Sequence, residues 1–152
     1  MDGNRAVHVA HGIIQPTNSS GGDKLHSIYR DLLEIVRKYT PAEAAIERVF
    51  MHRNADSALK LGQARGAAIV ACRELGLEIF EYTANQVKQA TVGKGHAAKQ
   101  QVQHMVKVLL CLDKQPQADA ADALAVALCH GHTRGGLMHV AGVKGMRRGR
   151  LR

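Results

Sequence analysis

Three carboxylates carry the chemistry that this sequence could perform. Asp119 and Asp122 stand three residues apart in QADAADALAVALCH, residues 117 to 130, an alanine-rich stretch that reads as a helix. Aspartate favours helix less than alanine does, and at this spacing two like charges share a face and repel by a few tenths of a kcal/mol. A structural account is available: Asp119 as N-cap and Asp122 at N3, both favoured by the positive end of the helix dipole after the loop containing Pro116. For Glu47 the corresponding account is an ion pair with Arg48 or a nearby lysine. Glu47 lies in AAIERVF, which reads as a buried strand, and a buried carboxylate must be paired, protonated or bound to a cation. Arg48 is a poor partner, because adjacent strand residues point to opposite faces. If the end of that strand meets the start of the last helix, three carboxylates converge. Such an all-oxygen set suits Mg²⁺ or Mn²⁺, hard cations that hold a phosphodiester, activate a water and stabilise a leaving oxygen.

The elements that must position these groups alternate along the chain. RAVHVAHGII, residues 5 to 14, is β-branched and roughly alternating, and reads as a strand. After the polar loop QPTNSSGG, the stripe Leu25, Ile28, Tyr29, Leu32, Leu33 and Val36 predicts an amphipathic helix ending near Thr40 and Pro41. AEAAIERVF, residues 42 to 50, follows as a strand, with Pro41 keeping Thr40 extended at its entrance. NADSALKLGQARGAAIVACREL is the next helix, and Gly62 and Gly66 on one side of it permit a neighbouring backbone, from this subunit or a second one, to come close. LEIFEY, residues 77 to 82, is a strand, and Thr83 can cap a short helix through Thr91. The loop GKGH then leads into a helix striped by Val102, Met105, Val106, Leu109 and Leu110, and the quoted alanine-rich helix comes last. Helices alternating with strands indicate a layered α/β domain.

Composition narrows the function classes. With 152 residues and 45% hydrophobic content, the chain can bury one core and is not disordered by default. Its longest apolar runs fall short of a membrane span of about 20 residues, and the start lacks the layout of a signal peptide, so a cytoplasmic protein is expected. Cys72, Cys111 and Cys129 are odd in number and have no CxxC spacing, which argues against disulfides and a zinc knuckle and predicts three buried reduced thiols. The net charge of +8 points to a polyanionic partner. Five of the basic residues, Lys144, Arg147, Arg148, Arg150 and Arg152, fall in the last nine positions, where they can tether phosphates without sequence preference or merely aid solubility. His8 and His11 are expected on opposite sides of their strand. His96 and His104 flank the start of the lysine-bearing helix, and the CHGH at residues 129 to 132 only faintly resembles a soft-metal site.

AIERVFMHRNADSALKLGQARGAAIVAC, then FEYTANQVKQATVGKGHAAKQQVQHMV, then QADAADALAVAL, in this order, resemble the RuvC family of Holliday-junction resolvases, bacterial homodimeric endonucleases with a ribonuclease H-like fold. The resemblance runs from about residue 3 to the basic tail. It implies a mixed sheet flanked by helices, and metal-dependent cleavage of four-way DNA junctions in recombination and repair, with Mg²⁺ as cofactor and Mn²⁺ as a substitute. It makes Glu47, Asp119 and Asp122 metal ligands at the scissile phosphate. It places Lys88 and Lys99 near the DNA backbone, Lys99 with a catalytic part, although either lysine taken alone reads as a solvated side chain. It has Phe50 stack on unpaired bases, where composition alone would put a phenylalanine in the core. The helix over residues 55 to 75 would help form a homodimer whose two-fold axis places two active sites on a junction. A branch-migration motor is the implied protein partner.

One departure stands beside these agreements. Members of the family begin with a strand carrying a GxDPG turn, whose aspartate completes the metal site, and a second strand before the segment matched here by DGNRAVHVAHGII. Neither is in this sequence, which therefore reads as a nuclease domain over residues 1–142 lacking its N-terminal strands, followed by a flexible basic tail over residues 143–152. Two consequences are expected: an unpaired sheet edge, and weak or absent cleavage with junction binding retained. The alternatives to a nuclease are thus a junction-binding protein of the same family and a general basic nucleic-acid-binding module. The last leaves Glu47 without a reason.

Overall fold

The computed structural model describes residues 5–16, 20–49, 54–141, 146–147 and 150–151, with side chains as far as Gly135 in the last long helix. The chain divides into two compact units, Gly12–Thr83 and the combination of Met1–His11 with Ala84–Arg152.

In the first unit, helix α1 (Gly21–Tyr39) begins four residues before the apolar stripe that predicts it and buries Ser27, Leu33 and Val36. Thr40 ends it. Its φ of 44° and ψ of 53° are left-handed, and its N–H closes on the Val36 carbonyl. Thr40 is therefore not extended before Pro41 as expected: satisfying the open carbonyls of the last helical turn outweighs the proline's preference for an extended predecessor. Strand β1 (Glu43–Glu47) pairs in parallel with β2 (Glu78–Tyr82), and helix α2 (Ala55–Glu74) forms the crossover that a parallel pair requires. Asn54 caps α2 by accepting hydrogen bonds from the backbone N–H groups of Asp56 and Ser57. Val36, Cys72 and Leu77 form the core here, packed by Leu32, Ala44, Leu75 and Ile79. Ala44 is opposite Ile79 in the register, so both helices cover the sheet face that Ala44 and Ile79 share. No side chain of β1 is fully buried and Glu47 is exposed, which corrects the expectation of a buried strand.

The second unit is built on three helices: α3 (Ala84–Val92), α4 (Lys99–Leu109) and α5 (Ala118–Ala141). α3 and α4 pack on α5 and on each other. Their core consists of Val87, Thr91, Val102 and Val106 against Ala120, Ala121, Leu124, Ala125, Leu128 and Cys129. The alanines let the backbones come close, and Val106, at 0% exposure, is the largest side chain sealed there. Residues 94 to 98 make the turn between α3 and α4, where the Asn85 side chain occupies the space a Cβ on Gly95 would need.

The expected strand over residues 5 to 14 does not form: Arg5 makes an isolated bridge and residues 6 to 16 are irregular. Val7, Val9 and Ile13 are exposed, Val9 at 76%. Strand propensity only expresses readiness to fit a pleated, half-covered surface, and among the described residues no strand offers these valines one. His8 and His11 accordingly do not face apart; His8 Nε2 and His11 Nδ1 are 2.8 Å from each other. In the tail, Met146–Arg147 pairs antiparallel with Arg150–Leu151. The α/β architecture is thus as expected, with the described strands divided between one parallel pair and this short antiparallel ladder.

Candidate functional site

The start of α5 decides whether the two aspartates are caps. The Gln117 carbonyl accepts the Ala121 N–H at 2.8 Å, the first bond of the helix, so Gln117 occupies the N-cap position. Asp119 and Asp122 are then the second and fifth helical residues, and neither caps the helix. Asp119, in the first turn, is favoured by the dipole, an effect that fades beyond that turn and leaves Asp122 unexplained. Between them Ala120 and Ala121 are buried at 3% and 1%, so the helix packs through alanine methyls while Asp119 stays exposed and Asp122 half-exposed. Lys99, the first residue of α4, brings its Nζ to 3.9 Å from Asp122 Oδ2, with the lysine side chain 83% exposed and the aspartate 45%. This is a loose, solvated pair of the kind worth well under 1 kcal/mol, and it leaves both groups available to a ligand. Lys88 sits on α3, half-buried, beside the buried Val87.

Glu47 closes β1 in the other unit, opposite Tyr82. Its surroundings include ionic contacts that sequence reasoning did not single out. Arg65 of α2 donates from Nε to the Glu47 carbonyl oxygen at 3.2 Å, and its Nη2 pairs with Glu81. Arg48 reaches the same Glu81, 3.5 Å from Nε to Oε2, so Arg48 serves Glu81 as a salt-bridge partner. The signal was present in the sequence: Glu81 in LEIFEY is a charged residue within an apolar strand, just as Glu47 is in AAIERVF. Phe50 lies outside the described residues.

The donors named from the sequence are oxygens only, and their chemistry suits a hard divalent cation. Glu47 and the aspartate pair belong to different compact units. Among the described residues no group of three or more His, Cys, Asp and Glu side chains lies close enough to hold a metal ion. Cys72 and Cys129 are buried, and burial raises both thiols above their ordinary pKa; a hydrogen bond with Thr133 partly offsets this for Cys129. Cys111 departs from expectation. It is exposed, in a left-handed turn with φ 52°, and its Sγ accepts from Arg5, because the turn after α4 points it away from the helix core. Among the described residues no helix is long and apolar enough to cross a membrane.

The chain is similar along most of its length to known proteins of one family. The family model described as crossover junction endodeoxyribonuclease RuvC matches residues 1–130. The RuvC of Hahella chejuensis is 55% identical over 150 residues, 99% of this chain and 87% of the relative. That of Pseudomonas fluorescens Pf-5 is 56% identical over 151 residues, with the same coverage. Among solved structures, Thermus thermophilus RuvC in complex with a Holliday junction substrate superposes with a TM-score of 0.79 at 34% identity, over 86% of this chain and 80% of that one. A second Thermus thermophilus RuvC structure gives a TM-score of 0.70 at 37% identity, over 80% and 75%.

Proposed function

Because the chain belongs to the RuvC family of crossover junction endodeoxyribonucleases, with their ribonuclease H-like α/β fold, we propose that it is a structure-specific endodeoxyribonuclease. Its substrate is the four-way DNA junction, and its reaction is metal-dependent phosphodiester hydrolysis in recombination and repair. The observation that carries this reading is the start of α5, where two carboxylates three residues apart stand on an open helix face without capping it, beside a lysine that binds neither tightly.

In this proposal Glu47, Asp119 and Asp122 supply the oxygens that hold Mg²⁺, with Mn²⁺ able to replace it. The bound cation would lower the pKa of a water and offset charge on the phosphate. The chain's own groups do the rest. The Lys99 ammonium, tethered loosely at Asp122, is available to meet charge developing on phosphate oxygens. Lys88 holds the backbone from α3, Phe50 stacks on unpaired bases, and the basic tail over residues 143–152 adds attraction without sequence preference. The domain proper is residues 1–142.

The working unit is proposed to be a homodimer acting in the cytoplasm, in company with a branch-migration motor. What supports the dimer is α2: a Cβ built at Gly62 or Gly66 would meet nothing within 4 Å, and Leu59, at 63% exposure, borders a hollow with Val49, Ala55, Ala58 and Gly62. An apolar, small-residue helix face of this kind is left uncovered within its own unit, and a second copy would cover it.

The test is cleavage of a synthetic four-way junction by the purified chain in Mg²⁺, with plain duplex as competitor. Cleavage that is selective for the junction and lost in Asp119→Asn supports the proposal. Junction binding with no cleavage at any metal concentration makes the chain a junction-binding protein instead, and equal affinity for duplex makes it a general basic module.

A further inference from the structure

Glu47 is the last residue of a five-residue strand, and strand ends fray unless something beyond the ladder holds them. Two contacts do so here. The Arg48 N–H reaches the Tyr82 carbonyl at 2.8 Å, carrying the ladder one residue past β1. The Arg65 Nε–H then takes the Glu47 carbonyl at 3.2 Å. Arg65 is itself fixed, because its Nη2 pairs with Glu81, which also meets Arg48. Its side chain is only 22% exposed, so this contact is screened less than a surface pair.

The register shows from which side the arrangement holds the Glu47 peptide. Ile46 is opposite Glu81 and Glu47 opposite Tyr82, and residues paired in register share a face, while neighbours alternate. Glu81 is therefore on the face that Ala44 and Ile79 present to α1 and α2, where Arg65 arrives. The Glu47 side chain starts from the other face. Arg65 thus grips the Glu47 peptide from the helix side, and the orientation of that peptide sets the direction in which the side chain leaves the strand. A guanidinium suits the task, since its planar fork binds a carboxylate and a carbonyl together in fixed geometry, which an ammonium does not.

We propose that Arg65, anchored by Glu81, is a positioning residue for Glu47, setting the direction of its carboxylate toward a divalent cation. The proposal rests on the reading of Glu47 as a metal-binding group.

The test compares the full chain with Arg65→Gln, Arg65→Lys, Glu81→Gln and Glu47→Gln. Mn²⁺ binding is read by electron paramagnetic resonance without DNA, the Mg²⁺ dependence of junction cleavage is followed in parallel, and junction affinity is measured in EDTA. Loss of a group that orients a metal ligand weakens metal affinity by about 10- to 100-fold. Arg65→Gln is expected to weaken Mn²⁺ binding by at least about tenfold and to raise the half-saturating Mg²⁺ concentration equally. Arg65→Lys and Glu81→Gln should fall between it and the parent, with junction affinity in EDTA unchanged. A purely structural role would lower stability and junction affinity together and leave no graded metal dependence. Should Arg65→Gln fail to fold, the other two, which keep a positive charge at Arg65, carry the comparison. Parental Mn²⁺ affinity in folded Arg65→Lys and Glu81→Gln overturns the proposal if Glu47→Gln loses it. If Glu47→Gln also binds Mn²⁺ normally, or the parent does not bind it, the reading of Glu47 has failed and the proposal falls with it.

Discussion

Replacing Asp122 by asparagine keeps the shape of the side chain and removes its charge, and the structure sets what that should cost. The Lys99 contact is 3.9 Å long between side chains 83% and 45% exposed. At that separation in water two charges attract by about 1 kcal/mol, and ordering a mobile lysine consumes most of it, leaving roughly 0–0.5 kcal/mol. As the fifth helical residue, Asp122 lies beyond the turn where the dipole acts appreciably. Asparagine and aspartate have nearly equal helix propensity, and relief of repulsion from Asp119 returns a few tenths of a kcal/mol. Stability should therefore change by less than about 0.5 kcal/mol, a Tm shift of no more than about 2 °C for a chain of this size. If Asp122 helps hold the cation, removing its charge should take away several kcal/mol of barrier lowering, a fall in cleavage rate of at least about 100-fold. The assay pairs single-turnover cleavage of a labelled junction with thermal melting of the same sample. A variant that melts more than about 5 °C lower would show that Asp122 holds the helix rather than a metal. One that cleaves at the parental rate would show that its charge has no part in the reaction.

Val106→Ala opens space at the sealed interface between α4 and α5. It should destabilise by about 2 kcal/mol through forfeited transfer energy and the residual cavity, measured by urea denaturation with unchanged m-value. Because burial holds the Cys72 and Cys129 thiols above their ordinary pKa, the folded state favours their neutral form. That stability is fully present below the thiol pKa of the unfolded chain and is lost as pH rises through the higher folded values, so denaturation midpoints should decline in the alkaline range, and decline less in a Cys72→Ala, Cys129→Ala variant. Iodoacetamide at neutral pH should label Cys111 alone in the folded protein, as mass spectrometry of the digested chain will show. Removal of residues 143–152, with its five basic residues, should lessen the salt dependence of junction binding by about one power of concentration for each phosphate that the tail neutralises; an unchanged slope would remove the tail from the interface.

The order of helices and strands from α1 to α5 was legible along the chain, because each element carries its own periodicity or composition. The stripe from Leu25 to Val36, the short apolar EAAIE and EIFEY, and the alanine-rich stretch after Gln117 report locally on what they form. The same holds for the residue types at the candidate site: carboxylates at a spacing of three on a helix, and a glutamate in an apolar strand, could be named from the sequence. Where tertiary relations decide, local pattern was silent or misleading. Residues 5 to 14 have strand composition without a strand's partner, so they run irregular and His8 meets His11. Thr40 takes a left-handed conformation because the end of α1 needs it, against the preference that Pro41 imposes. The two aspartates could be separated from the capping positions only by the hydrogen bond that starts α5 at Gln117. Arg65 shows the limit most clearly, since its role depends on Glu47 and Glu81 meeting it from positions 18 and 16 residues away. Periodicity records which face of an element is apolar; which charges meet across elements depends on crossover and register, and these exist only in the folded chain.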